Sequence, residues 1–344
     1  MGPTLEKANV GARSFLWKGV VMSIAIFGSL ESGLIYAIMA LGVYLTFRIL
    51  DFPDLTVDGS FVTGAAVCAI LIVNGFHPII ATVVAMLAGF VAGLFTGLLH
   101  TKGNINPLLS GILMMIALYS INLRIMGRSN VPLLSEETLF TKLSTQFASF
   151  DQTLESMFSF SPRTWTVILS MLLLVIVLKW LLDSFLKTEV GLALRAVGDN
   201  VEMIQSFSAN TDGLKMVGLG LSNALVALSG ALIAQYNGFS DIGMGIGMII
   251  IGLASVIIGE AVVGNKTIIR ATLAVIIGAI LYRLIVAFAL RFNFFETGDL
   301  KLITACIVIL SLIVPRFLDR KRERKKKLER RKEVLAKKRG EEIA

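Results

Sequence analysis

Three aspartates, Asp51, Asp54 and Asp58, crowd the stretch that runs through Phe52-Pro-Asp-Leu-Thr-Val-Asp-Gly-Ser-Phe61, between two apolar runs. Such a cluster either meets polar groups inside a protein or sits in a solvated turn, and Pro53 and Gly59 both break helices. The apolar run that follows, 60–73, is short for a bilayer crossing, which takes roughly 20 residues. It reads as a helix broken within the membrane, whose free N–H groups would meet polar substrate atoms. Asp54 and Asp58 are therefore candidates for lining a substrate pathway. Asn106, just before Pro107, reads either as a helix cap or as a ligand contact. Asn122 lies deeper in the same apolar run, where a polar residue faces a bundle rather than lipid. Asn223, Gln235 and Asp241 complete the candidate pathway. Gln235 precedes, and Asp241 lies within, a stretch from Gly238 to Gly264 that holds seven glycines, which read as tight packing, as a deformable gate, or as both.

Other chemistry finds little support. His77 and His100 stand apart, and Cys68 and Cys306 lie in separate apolar runs without a CxxC spacing. No metal site is expected. Gly264-Asn-Lys-Thr resembles the end of a phosphate loop, but Asn265 stands where GxxxxGK[ST] needs its second Gly. With no nucleophile–base pair either, the chain reads as a non-enzyme that needs no cofactor of its own.

The elements that would position these residues are helices in a membrane. The 344 residues are 55% hydrophobic and 16% charged, with a mean hydropathy of +0.79; soluble domains carry about 25% charged residues. Apolar runs fall at 33–50, 60–73, 79–99, 107–126, 165–185, 216–234, 244–263, 268–290 and 302–315, with 15–30 as an ambiguous addition. The expectation is an all-α polytopic transmembrane bundle of about nine spans, within a range of about eight to ten, some short or broken. Residues 1–315 would form this transmembrane domain and 316–344 a basic tail. The tail holds 14 Lys+Arg and 6 Asp+Glu, while the rest of the chain balances at 18 of each. A cytoplasmic tail near anionic lipid explains this better than nucleic-acid binding. The tail places the 187–215 segment inside and the 128–163 segment outside. Lys7, Arg13 and Lys18 before an apolar stretch mimic a signal peptide, read here as retained.

The 188–215 segment is a polar island between two spans, built to dock on something in the water phase. Residues 190–203 should form a short helix along the cytoplasmic face. Leu192, Leu194, Val197 and Val201 would meet the membrane body. Arg195, Asp199, Asn200 and Glu202 would offer polar contacts on the other face, and Gly198 belongs to the same coupling stretch.

Taken together these residues resemble one family. Gly33-Leu-Ile-Tyr-Ala-Ile-Met-Ala-Leu-Gly-Val-Tyr44, followed by Asp54-Leu-Thr-Val-Asp-Gly-Ser60, resembles the opening of permeases in the branched-chain amino acid and ribose class of ABC importers. Leu194-Arg-Ala-Val-Gly-Asp-Asn200 resembles that class's cytoplasmic coupling loop. Asn223-Ala-Leu-Val-Ala-Leu-Ser-Gly-Ala-Leu-Ile-Ala-Gln-Tyr236 and Ile251-Gly-Leu-Ala-Ser-Val-Ile-Ile-Gly-Glu260 resemble a narrower tryptophan/tyrosine-type branch. The resemblance covers about residues 30–315; Phe207-Ser-Ala-Asn-Thr-Asp212 departs from the usual Gly-containing turn. It implies a multi-pass subunit of the bacterial cell membrane, paired with a second permease copy, an ABC ATPase inside and a substrate-binding lipoprotein outside. Its solute would be small, such as an amino acid, with a sugar or nucleoside as the alternative. An ATPase-independent secondary transporter and a scaffold without transport are the rival readings.

Overall fold

The computed structural model describes residues 26–157, 165–206 and 210–289, together with the helical positions 302, 305, 306, 309 and 313. The N-terminal 25 residues and the basic tail lie outside that set, and so does most of the run 302–315. Seven described helices are long and apolar enough to cross a membrane. They are α1 (Ile26–Ile49), α2 (Thr56–Val73), α3 (Pro78–Thr101), α4 (Pro107–Met126), α7 (Trp165–Phe185), α10 (Thr211–Asn237) and α12 (Ile268–Ala289). An eighth apolar helix, α11 (Met248–Val263), has only 16 residues. Between α4 and α7 lie strand β1 (Asn130–Pro132) and the short helices α5 (Leu139–Gln146) and α6 (Ala148–Met157). Between α7 and α10 lie α8 (Glu189–Asp199) and α9 (Val201–Ser206). Strand β2 (Phe239–Asp241) follows α10 and pairs antiparallel with β1. The ribbon caps one end of the bundle, and α8 lies at the other.

Local sequence explains the helix boundaries. α3 and α4 begin at Pro78 and Pro107, each preceded by a side-chain cap. His77 Nδ1 accepts from the Ile79 N–H at 3.3 Å, and Asn106 Oδ1 accepts from the Leu108 N–H at 3.0 Å. Gly127 and Gly238 end α4 and α10 in the left-handed region that favours glycine. α1 ends in a π turn, Leu45–Ile49, where the Leu50 N–H donates to the Leu45 carbonyl at 3.1 Å.

Helix α10 is the centre of the bundle and the most buried span. Within the bilayer there is no water to drive helices together, so close approach of backbones does the work. α3 presents Gly89, Gly93 and Gly97, one per turn, to α10. A Cβ on Gly89 would overlap Ala227, one on Gly93 the Leu219 carbonyl, and one on Gly97 would lie 2.8 Å from the Met216 Cα. Gly64 of α2 meets α10 in the same way at Ala227, and Gly230 of α10 meets Phe61. α11 and α12 form a second tight pair, with Gly259 against Ala274 and Gly278 against Ser255. Asp183 of α7 pairs with Lys179 and accepts from the Thr272 hydroxyl of α12 at 2.7 Å. Burial falls to 28% of the span window in α4 and α7, whose exposed Leu and Ile side chains suit lipid.

Enlarging a glycine on α3 should be costly. Gly93→Leu forces α3 away from α10, and overpacking of this kind typically costs about 1–3 kcal/mol or more. Fluorescence-detected size exclusion of the detergent-extracted protein should show a reduced monodisperse peak and a lower melting temperature. Leu173→Ala, on an exposed face of α7, should leave both near wild type.

Candidate functional site

The α1–α2 connection folds into the bundle. Asp54 is buried there. Its Oδ2 accepts from the Asn223 Nδ2 at 2.7 Å, twelve residues into α10, and its Oδ1 accepts from the Thr56 N–H at 2.9 Å. Thr56 in turn shares a hydroxyl contact of 2.8 Å with Thr96 of α3. One turn further, Asn122 Nδ2 of α4 donates to the Gly59 carbonyl at 3.2 Å. The Oδ1 atoms of Asn122 and Asn223 are buried without a hydrogen-bond partner among the described residues.

Asp58 has a more specific task. After β2 the chain turns back into the bundle through Gly243, Gly245 and Gly247, and α11 begins beside the first turn of α2. Gly245 lies so close to α2 that a Cβ would overlap the Asp58 carbonyl, and Gly247 adopts φ +87°. The Asp58 carboxylate accepts from the Gly247 N–H at 2.9 Å through Oδ2 and from the Ile249 N–H at 2.8 Å through Oδ1. α2 thus begins inside the bundle, as the short apolar run suggested, and so does α11, which starts beside it. The free N–H groups of α11 are occupied by Asp58.

The remaining candidates separate. Gln235 sits toward the ribbon end, where its Nε2 donates to Thr82 Oγ1 at 2.8 Å and to Cys68 Sγ at 3.2 Å, and its Oε1 accepts from the Leu139 N–H at 2.9 Å. It ties α10 to α2, α3 and α5. Asp241 Oδ1 accepts from the Gly243 N–H at 2.8 Å and closes the turn after β2. Asn106 is an exposed cap at the α8 end, remote in the fold from the Asp58 region. A cleft of about 510 Å³ opens beside Asp58, lined by Leu55, Met115, Tyr119, Asn122 and Ile246. Among the described residues, no three His, Cys, Asp or Glu side chains come together as metal ligands.

At the other end α8 forms as anticipated but stops at Asp199; the expected single helix over 190–203 is two helices. Asn200 ends α8 and its Oδ1 accepts from the Met203 N–H at 3.0 Å, starting α9. Leu194 and Val197 are buried against the bundle. Gly191 packs on Phe185 and Leu186, and Gly198 packs so closely on the π turn that a Cβ would overlap the Ile49 carbonyl. Leu192 was expected to face inward, yet it is 52% exposed. The helical period explains this: Gly191, Leu194 and Gly198 share one stripe, which puts Leu192 on the opposite side. The outer face carries Glu189, Val190, Leu192 and Asp199, with Arg195 half-buried at its edge.

The π turn also supplies a pair that the sequence reading missed. Arg48 Nε donates to Glu260 Oε1 at 2.9 Å, and Nη2 donates to Oε2. With the two residues 212 positions apart, only the placement of both at span ends hinted that they could meet.

A family model described as branched-chain amino acid transport system, permease component, matches residues 25–313. A tyrosine transport system permease protein of Clostridioides difficile (strain R20291) is 45% identical over 287 residues, 83% of this chain and 90% of that protein. An uncharacterised protein of Rickettsia prowazekii (strain Madrid E), RP368, is 35% identical over 83% of this chain and 95% of that one. The autoinducer 2 import system permease protein LsrC of Yersinia pestis (strain Pestoides F) is 30% identical over 74% of this chain and 65% of its own length. No solved structure gives a significant match.

Loss of the internal cap should be measurable. Asp58→Ala orphans the Gly247 and Ile249 N–H groups, and buried unsatisfied donors cost about 1–3 kcal/mol. A thermal-shift series on purified protein should place Asp58→Asn, which keeps one acceptor oxygen, between wild type and Asp58→Ala.

Proposed function

The chain belongs to the family of branched-chain amino acid transport system permease components, and on that basis we propose that it carries tyrosine or a related aromatic amino acid into the cell, driven by a separate ATPase. Its standing as the multi-pass permease component of an ABC transport system follows from the family match and the apolar helices. That match favours this reading over the secondary transporter and the scaffold. The solute is inferred from the relative named for tyrosine transport, which is more similar to this chain than the relative named for autoinducer 2.

In this reading the α8 end faces the cytoplasm and the ribbon end faces outward, where a substrate-binding lipoprotein would deliver the solute. The basic tail favours that orientation by the positive-inside rule. A second permease copy completes the assembly, and the solute passes along the cleft beside Asp58, Asn122 and Tyr119. Asp54 and Asn223 support the cleft from behind.

The observation that carries the proposal is the two-faced α8. Its inner stripe is fixed to the bundle by Leu194, Val197 and two close glycine contacts. Its outer face combines exposed Val190 and Leu192 with charged Glu189 and Asp199. An exposed apolar pair with a charged rim, anchored rigidly from behind, is the pattern of a docking surface. The ATPase would take this face into a cleft. Gly198 belongs to the anchoring side, so replacing it would damage the permease itself and report nothing on docking.

Arg195→Glu combined with Leu192→Ala should therefore leave the permease inserted and folded while pull-down of the ATPase falls about tenfold or more, since interface hot spots are worth about 2 kcal/mol or above. Uptake of labelled tyrosine should fall in parallel, with binding by the lipoprotein unchanged. Normal assembly and uptake would remove α8 as the docking element. In a competition panel, tyrosine uptake by the wild type should be inhibited best by aromatic amino acids; inhibition by a sugar or nucleoside instead would overturn the substrate assignment.

A further inference from the structure

We propose that Arg48 and Glu260 are a positioning pair that conveys movement of α8 to the inward-starting helix α11. The inference rests on the reading of α8 as the ATPase dock and adds the route by which docking reaches the pathway.

Three contacts in series support it. Gly198 of α8 lies against the Ile49 carbonyl with no room for a side chain. Arg48, one residue earlier in the same π turn, grips Glu260 with two donors on two oxygens. A guanidinium fork on a carboxylate resists rotation as well as separation, which a single contact does not. Glu260 lies in the last turn of α11, whose first turn is held by Asp58 beside the cleft. The glycine contacts at Gly259 and Gly278 join α11 to α12, so α11 moves with a stiff partner. A displacement of α8 that carries the π turn with it moves Glu260, and α11 passes the shift through Gly247 to Ile246 at the cleft wall.

An ion pair at a span end can also be a minor stabilising contact, worth little in water. The Glu260 side chain is only 12% exposed against 49% for Arg48, so the carboxylate side of the pair is enclosed. The two roles differ in what they predict. A stabilising contact affects how much complex exists; a transmitting contact affects how much solute moves per ATP.

The test uses the full complex of permease, ATPase and binding protein in proteoliposomes, with tyrosine as the solute. Arg48→Gln and Glu260→Gln should assemble with the ATPase in the wild-type ratio and still hydrolyse ATP. Tyrosine moved per ATP should fall at least about fivefold, the lower end of ordinary coupling energies between sites. The exchanged pair Arg48→Glu with Glu260→Arg should recover most of the wild-type ratio. If the neutral variants insert poorly, Arg48→Lys keeps the charge and loses the fork, and it must still lower the ratio. An unchanged ratio in every variant overturns the proposal, as does a loss of assembly that alone accounts for the lost uptake. A wild-type complex that binds no ATPase removes the function reading and this inference with it, whereas one that couples ATP to tyrosine while the variants do so equally well removes only the inference.

Discussion

A helix that begins inside a bilayer leaves backbone N–H groups where there is no water to take them, and the placement of α11 depends on how that demand is met. Asp58 meets it with one carboxylate on two N–H groups. The consequences spread outward. Asp58 must sit at the start of α2, so the α1–α2 connection turns within the bundle. Gly245 must bring the backbone close enough to α2, and Gly247 must adopt a positive φ. The β1–β2 ribbon holds the other end of the returning segment. α11 can then be only 16 residues long and still reach the end of the bundle that carries α8.

The second organising force is close packing of small residues around α10. Apolar surface alone gives helices in lipid no reason to choose one another. The four-residue spacing of Gly89, Gly93 and Gly97 gives α3 a smooth stripe, and α10 fits it through Leu219, Asn223 and Ala227. Polar links are then laid across the packed faces: Asn223 to Asp54, the Ser222 hydroxyl to the Gly42 carbonyl at 2.7 Å, and the Ser229 hydroxyl to the Ile35 carbonyl at 2.8 Å. α11 and α12, by contrast, make their closest glycine contacts with each other. That division leaves a block of α1, α2, α3 and α10 beside a helix pair that meets it at Asp58, at Val43 against Gly252, at Gly33 against Ile280 and at Arg48–Glu260.

The sequence was informative where one residue type decides one feature. The apolar run 107–126 matches α4 to the residue, because Pro107 marks its start and Gly127 closes it, and the run 165–185 has the bounds of α7. α8 was legible from its alternation of Leu, Arg and Val between two glycines. Harder to read was which side each residue took. Counting Leu192 as inward followed its hydrophobicity, whereas Gly191 and Gly198, seven apart, marked the packed stripe. The run 244–263 overstated α11 because Gly245 and Gly247 are apolar by composition and loop-forming by conformation. Asp58 was found as a candidate from its type, but its partner was invisible: backbone N–H groups leave no trace in a sequence. The Arg48–Glu260 pair escaped because charges at span ends read as solvated until the fold brings them together.

The claim at the centre of this account is that α8, the π turn and α11 move as one body against the wall of the cleft. Spin labels placed on exposed positions can measure it by pulsed electron–electron distance measurements in the assembled transporter, with labelled protomers diluted among unlabelled ones. One pair, at Lys187 just before α8 and at Val262, spans α8 and the end of α11; the other, at Tyr119 and Ile246, spans the cleft. When the complex is trapped with ATP, the account predicts an unchanged distance between Lys187 and Val262 and a shifted distance between Tyr119 and Ile246. A changed Lys187–Val262 distance with a fixed cleft would contradict it.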